Sequence, residues 1–594
     1  MQTKLFSLFL LFFSISLVAQ TKIDEKQLEK RLKDIQDITK TVGFSVAIVK
    51  NDKVVYAKGF GYSDLEKKLK ADENTLYPIG STSKAFTVGL LGIMEEENGL
   101  SFSDSPKKYV PELAFYNDEL DTKITILDMI SHRTGLPRHD FSWYLFPTES
   151  KDSLMARIKY QKPFAGIREQ WYYNNFMYLT LGKITEKLTD KSWEDNIRER
   201  FFKPLEMSRS NLNIVELAKS TNVSKGYALE HFETNTETPY YNIAAMSPAG
   251  SINSSVIEMA NWLKIWLNQG KFNGTQVLPQ KYIEKAINPL MLVGSGIGDK
   301  QFPDQHLNSY GFAWFTSSYK GHYRLEHGGN IDGFSANVSF FPTDKIGIVV
   351  LSNQDGSALP TLVRNIITDE ILGLKKTDWV AYYTEKINAV KEQVKKKKEE
   401  EKTVANTKPS HDLIEYTGTY TNPGYGTFSI EVENDSLWAN FTRKKAFLKH
   451  SYYDIFKPYE KKNTTVESES SLAILFNFQT NDIGDIASVS LKLEPTLEPI
   501  IFERSPANVA VPKEKLDTYV GVYTLSGINV KVFLKDENLM LFVPGQPEYT
   551  LLPVKENEFV IKGLTGYKGI FETIDGVLNL VMVQPNGTFK AIKK

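Results

Sequence analysis

The 594-residue chain contains no cysteine. It therefore has no disulfides, no thiolate metal site, no thiol nucleophile and no cysteine to carry a lipid anchor. Stability must come from burial, which a chain of this length can supply. An excess of charge is missing too: 71 lysines and arginines face 72 aspartates and glutamates. No global field draws the chain to nucleic acid or an anionic membrane, so neither is expected as a partner. Histidine is scarce, with eight in all, and these form no H-E-x-x-H and no close pair. That argues against a metallohydrolase, and no metal or other cofactor is expected.

Long apolar runs are also absent, except at the start. "MQTKLFSLFLLFFSISLVAQ" places one lysine before an apolar stretch, Leu5 to Val18, that ends in Leu17-Val18-Ala19. A spanning helix needs roughly 20 apolar residues, more than this stretch provides. The charged, apolar and small-residue order predicts a secretory signal peptide over 1–19, cut after Ala19. The expected product is periplasmic or secreted, with no integral membrane segment after cleavage.

Downstream, "QLEKRLKDIQDIT" has amphipathic helical spacing, and "GFSVAIVKNDKVVYAKGFGYSD" (43–64) reads as a hairpin turning at Asn51-Asp52. Helices and loops follow, and a second β-pair (333–356) turns at Pro342-Thr343-Asp344 before a helical stretch, 359–374. Strands at both ends with helices between them predict an α+β domain over 20–380, its sheet closed by its termini. The K/E-rich stretch within 381–412 reads as an interdomain linker, either a solvated helix or a tether. Beyond it, short β-runs predominate, without convincing helices. "YTGTY" (Tyr416–Tyr420) recurs as "YVGVY" (Tyr519–Tyr523), each leading into alternating runs. Two related all-β units, 413–506 and 507–594, are expected as small antiparallel barrels.

Three stretches could carry chemistry. In "YPIGSTSKAFT" (77–87), Ser81 precedes Lys84 by three residues, a spacing that puts both on one helix face. A serine hydroxyl is a poor nucleophile until a base takes its proton and something stabilises the oxyanion. S-x-x-K also occurs at Ser105–Lys108 and Ser317–Lys320, but only Ser81 leads into an apolar helical run, which would place it at a helix N-terminus. "WYYNNFMYLTLG" (171–182) offers Tyr173 for proton transfer and Asn175 for holding substrate, although Tyr172–Asn174 and Tyr240–Asn242 share the Y-x-N spacing. A close Lys84 ammonium would favour phenolate at Tyr173. "LEHGGNIDGFSANVSF" (325–340) sets His327 before Gly328 and Gly329, which would let substrate approach a strand backbone closely.

Taken together and in this order, "IGSTSKAFT", "YYNNFMYLTLG" and "EHGGNIDGFSA" resemble the three motifs of the serine β-lactamase-like family: class C β-lactamases, penicillin-binding DD-peptidases, and their esterase and D-aminopeptidase relatives. "ILDMISHRTGLPRHD" (126–140) and "SPAGSINSSVIEMANWL" (247–263) look like two further landmarks of that family. The resemblance covers about 30 to 370. It implies an antiparallel sheet flanked by helices plus an all-helical subdomain, followed here by the two barrels. It also implies an acyl-enzyme mechanism with Ser81 as nucleophile, and Lys84 and Tyr173 sharing base and proton-relay work. Asn175, His327, Gly328 and Gly329 would contact substrate, and the backbone amides of Ser81 and Asn330 would form the oxyanion hole. His327 and Gly328 depart from the lysine and hydroxyl residue of the family's K-T-G, which would bind a substrate carboxylate. Esters, amides or peptides, cell-wall-derived ones included, are therefore expected in preference to β-lactams. His132, Arg133, Arg138 and His139 are expected to rim the site without joining the catalytic set. The competing expectation is a penicillin-binding-like sensor that acylates slowly, or a binding protein working through its β-units; the intact Ser81, Lys84 and Tyr173 favour the enzyme.

Overall fold

A computed structural model describes residues 24–594 apart from 298–301, 401–406, 463–465, 470–471, 473, 507–508 and 565. The expected signal peptide lies outside the described residues. Nine antiparallel strands form the main sheet. In spatial order they are Met291–Ser295, Leu307–Tyr310, Phe315–Tyr319, His322–Ile331, Phe334–Phe341, Ile346–Ser352, Gly43–Lys50, Lys53–Asp64 and Leu69–Lys70. The N-terminal hairpin completes the sheet by pairing with the last strand of the domain, Val46 opposite Val350. The two ends of the domain thus close one sheet, as their β-rich composition suggested.

Both faces of that sheet are covered, and the alternation of side chains shows by what. Phe44, Val46 and Ile48 join Ile346, Ile348 and Val350 in a core beneath the helices Glu25–Thr39 and Leu359–Ile371. Ala47, Val49, Val349 and Leu351 point the other way, into the larger core shared with the helical subdomain. A strand buried on both faces reads as a continuous apolar run rather than an alternating one, which is the character of "FSVAIV" and "IGIVVL".

The helix Lys84–Glu97 lies inside the helical subdomain with every residue from Lys84 to Met94 buried. Phe86 stacks on Trp262 at 3.8 Å between centroids, tying it to the helix Val256–Leu267. A helix enclosed on all sides can hold a reactive group fixed at its end, and Ser81 sits in the 3₁₀ turn Gly80–Ser83 that leads into it.

Beyond the helix Trp379–Glu400, each β-unit closes on itself. In the first, eight strands form a ring through the pairings Gly418↔Pro506 and Phe447↔Tyr459, with Val466–Glu469 added outside it. In the second, eight strands close through Tyr523↔Lys593. The repeated Y-x-G-x-Y has one structural meaning in both: the second tyrosine's hydroxyl donates back to the first one's carbonyl, Tyr420 to Tyr416 and Tyr523 to Tyr519, each at 2.7 Å. This fixes the entry of the chain into the first barrel strand. A short helix unforeseen in the sequence, Lys513–Tyr519, precedes the second copy. Among the described residues no helix is long and apolar enough to cross a membrane.

Candidate active site

Three pieces of chain meet where the helical subdomain abuts the sheet. These are the turn Gly80–Ser83, the start of the helix Asn175–Thr189, and the end of the strand His322–Ile331. Gly80 adopts a left-handed φ of +53°. Close approach of backbones also requires the glycines: a methyl built on Gly80 would lie 3.0 Å from the Asn330 amide nitrogen, and one on Gly329 only 2.0 Å from the Ile79 carbonyl oxygen. Ser81 and Asn330 are thereby brought side by side through their backbones.

Lys84 is completely buried. Its Nζ lies 3.1 Å from Ser81 Oγ, 2.8 Å from Asn175 Oδ1 and 2.6 Å from the Ala249 carbonyl oxygen. Burial pushes its pKa well below the usual lysine range, with the nearby Arg138 guanidinium acting the same way and Asp140 partly opposing them. A neutral amine can keep N–H bonds to Asn175 and Ala249 while its lone pair faces the Ser81 hydroxyl. The other S-x-x-K pairs are used differently. Ser105 caps the short turn Pro106–Lys108 while Lys108 pairs with Asp104; Ser317 accepts from Arg324 while Lys320 pairs with Asp369.

Tyr173 lies half-buried over the same centre, with Lys84 Nζ and the Arg138 guanidinium carbon each 4.8 Å from its ring centroid. Burial pushes its phenol above the usual range, against a smaller opposing pull from the neighbouring Ser81 hydroxyl. The direction runs against the expected phenolate: desolvation outweighs the opposing pull of the Ser81 hydroxyl and the Arg138 guanidinium. The phenol oxygen is buried and makes no hydrogen bond of ordinary geometry. The alternative Y-x-N pairs again do other work: Tyr172 donates to Glu494, Asn174 caps its helix by accepting from the Met177 amide, and Asn242 accepts from the Ala244 amide.

His327 sits behind the site. Its Nε2 is 3.1 Å from the Tyr310 hydroxyl and its Nδ1 2.6 Å from the Gly328 carbonyl oxygen, so Nδ1 carries the proton and Nε2 accepts. Burial first, then Lys84, pushes its pKa down to about 3. The ring is buried with both nitrogens engaged inside the protein, while Gly328 is exposed beside it.

The cleft in front of Ser81 has a volume of about 320 Å³ and is walled by Arg138, Trp143, Tyr144, Asn175, Met246, Asn330 and Asp332 among others. The loop expected to rim the site divides its labour. Arg138 lines the cleft, whereas Arg133 pairs with buried Asp128. His132 packs against Tyr173 with ring centroids 4.3 Å apart and accepts from the Asn174 amide, and His139 turns away to Tyr425. Two partners of the centre went unread in the sequence. Ala249 acts through its carbonyl, which no side chain announces. Asp140 accepts from Asn175 Nδ2 at 2.8 Å and from Arg138 Nε at 2.6 Å, and the Arg–x–Asp spacing was its only signal. Among the described residues no three acidic or histidine side chains converge as a metal site.

Residues 28–372 match the family described as Beta-lactamase, and residues 402–504 match a domain of unknown function, DUF3471. "Protein flp" of Staphylococcus aureus (strain MW2) is 29% identical over 346 residues, covering 57% of this chain and 65% of that protein. The chain thus spans just under two thirds of that relative. "Unguisins hydrolase ungD" of Aspergillus violaceofuscus is 25% identical over 452 residues, covering 70% of this chain and 78% of its own. In fold, the chain resembles the octameric penicillin-binding protein homologue from Pyrococcus abyssi, with a TM-score of 0.54 and 22% identity over 81% of this chain and all of that one.

Proposed function

Because the chain belongs to the Beta-lactamase family, we propose that it is a serine hydrolase working through an acyl-enzyme on Ser81. The observation that carries this reading is the 3.1 Å contact between Lys84 Nζ and Ser81 Oγ, made by a buried lysine whose two other polar contacts are both acceptors. The neutral amine takes the hydroxyl proton as Ser81 Oγ attacks the substrate carbonyl, and the carbonyl electrons move to oxygen. The amides of Ser81 and Asn330 receive that oxyanion. The leaving group departs with a proton supplied through the Tyr173 phenol, and water then releases the acyl group from Ser81. A relative named as a hydrolase supports the reaction class.

The finer reading is an esterase or a peptidase of D-amino-acid type with weak or no β-lactamase activity. Its support is the neutral, buried His327 in the place of a lysine, which leaves that position without a fixed cation for a carboxylate. On the sequence of residues 1–19 we also place the protein outside the cytoplasm, and the N-terminus of the mature protein beginning at Gln20 would check that. The deciding experiment is intact-mass spectrometry of residues 20–594 mixed in parallel with a short activated ester, a D-alanyl amide and a penicillin, beside Ser81→Ala. An adduct or turnover that vanishes in Ser81→Ala establishes the acyl-enzyme, and the responding compound names the substrate class. Silence with all three would favour the sensor reading.

A further inference from the structure

The first barrel and the catalytic centre share one piece of chain. Residues 138–146 form a loop and the short helix Asp140–Tyr144, and its side chains go two ways at helical spacing. Toward the barrel, the His139 amide donates to Glu494 at 2.8 Å and Ser142 Oγ donates to the Gly424 carbonyl at 2.7 Å. Leu145 and Phe146 belong to the barrel's own apolar core. Toward the cleft, Arg138 Nε and Trp143 Nε1 donate to the two oxygens of Asp140, at 2.6 and 3.0 Å.

Asp140 then does something specific. A carboxylate can only accept, so the end of the Asn175 amide facing it must be the NH₂, and the amide oxygen must face Lys84. The distances agree: Nδ2 to Asp140 is 2.8 Å and Oδ1 to Lys84 Nζ is 2.8 Å. Glu494 binds the centre a second time, accepting from the Tyr172 hydroxyl at 3.2 Å, one residue before Tyr173. It is only 2% exposed, and apart from a longer bond from its neighbour Thr496 at 3.4 Å, the bonds its carboxylate accepts come from the chain that frames the site.

We propose that the first barrel is a working part of the active-site frame. In it, Glu494 is a positioning residue that holds the 138–146 segment so that Asp140 fixes the Asn175 amide against Lys84. This gives a role to the domain that the matched DUF3471 family leaves undefined. The proposal rests on the serine-hydrolase reading of Ser81 and Lys84.

The test uses the full mature chain carrying Glu494→Ala, Glu494→Gln or Asp140→Asn. Two quantities are read: the acylation rate of Ser81 by an activated aryl acetate, with its half-saturating concentration, and hydrogen exchange across the chain. Glu494→Ala should slow acylation at least tenfold with half-saturation little changed, and should loosen exchange in 138–146 and 171–178. Glu494→Gln, which keeps one oxygen for the His139 amide, should recover most of the rate. Asp140→Asn should reproduce the loss without touching the barrel, and it decides the matter if Glu494→Ala does not fold. Acylation within twofold of the parent in Glu494→Ala or Asp140→Asn overturns the proposal, as does loosening confined to the barrel strands. A parent that never acylates would instead strike the hydrolase reading, and the exchange pattern alone would then decide the positioning.

Discussion

Gly328 and Gly329 are neighbours in one strand, yet adding a methyl to each should have opposite consequences. On Gly328 a Cβ meets nothing closer than the Ala336 carbonyl oxygen at 3.7 Å, an ordinary contact. On Gly329 it would sit 2.0 Å from the Ile79 carbonyl oxygen and 3.3 Å from the Ser81 amide nitrogen. Restoring a tolerable contact requires the strand and the Ser81 turn to separate by about 1 Å, and misplacement on that scale costs roughly 10²-fold in rate. Loss of one oxyanion donor costs a comparable 10²–10³-fold, about 2.7–4 kcal/mol. Overpacking should also lower stability by about 1–3 kcal/mol. Gly329→Ala should therefore lose about two orders of magnitude in Ser81 acylation by an activated ester, while Gly328→Ala stays within a fewfold of the parent. If Gly329→Ala acylates at the parent rate while folded, the assignment of the oxyanion hole to Ser81 and Asn330 is wrong. If both variants fail equally, the contrast drawn from backbone spacing is wrong.

The acylation rate should rise with pH as Lys84 loses its proton, and level off well below the ordinary lysine range because burial lowers its folded pKa. His327, held at about 3, and His132, also pushed down by burial, should add no inflection near the usual histidine pKa. A rate profile from pH 4 to 10 governed by a histidine-like step would contradict this order of groups. The same shift has a stability consequence: because the folded pKa is depressed, the unfolded chain binds this proton more readily, so Lys84 costs the native state stability as pH falls from the unfolded lysine pKa to the folded one. Tyr523→Phe removes the hydroxyl bond to the Tyr519 carbonyl, a loss of about 1–2 kcal/mol when the acceptor stays buried. Amides of Gly521–Leu525 should then exchange about tenfold faster while Gly418–Asn422 in the other barrel is unchanged; acceleration in both would show that the two barrels are not independently tied at this corner.

The parts of this structure that were legible in the sequence are those in which a side chain declares its own role. Apolar runs marked the sheet strands buried on both faces, and the Y-x-G-x-Y repeat marked two barrels because the second tyrosine of each copy closes its hydroxyl onto the first one's carbonyl. Ser81 and Lys84 stood out from two rival pairs because only they precede an enclosed helix. What stayed hidden depends on groups that carry no sequence signature or on neighbours far along the chain. The Ala249 carbonyl has no side chain to read. The protonation of Tyr173 turns on burial, which spacing does not report, and burial reverses the phenolate that proximity to lysine suggested. Most telling are Leu145 and Phe146: in the sequence they belong to the N-terminal domain, yet in the structure they fill the core of the first barrel. From the sequence alone, deleting residues 413–594 is expected to alter substrate size preference more than the acylation chemistry. The structure argues otherwise, because that deletion exposes two large apolar side chains and removes Glu494 from the segment that carries Asp140. The barrel boundary drawn along the chain does not coincide with the boundary of the packed core: the segment whose Asp140 bonds the Asn175 amide beside Lys84 carries Leu145 and Phe146 into the barrel.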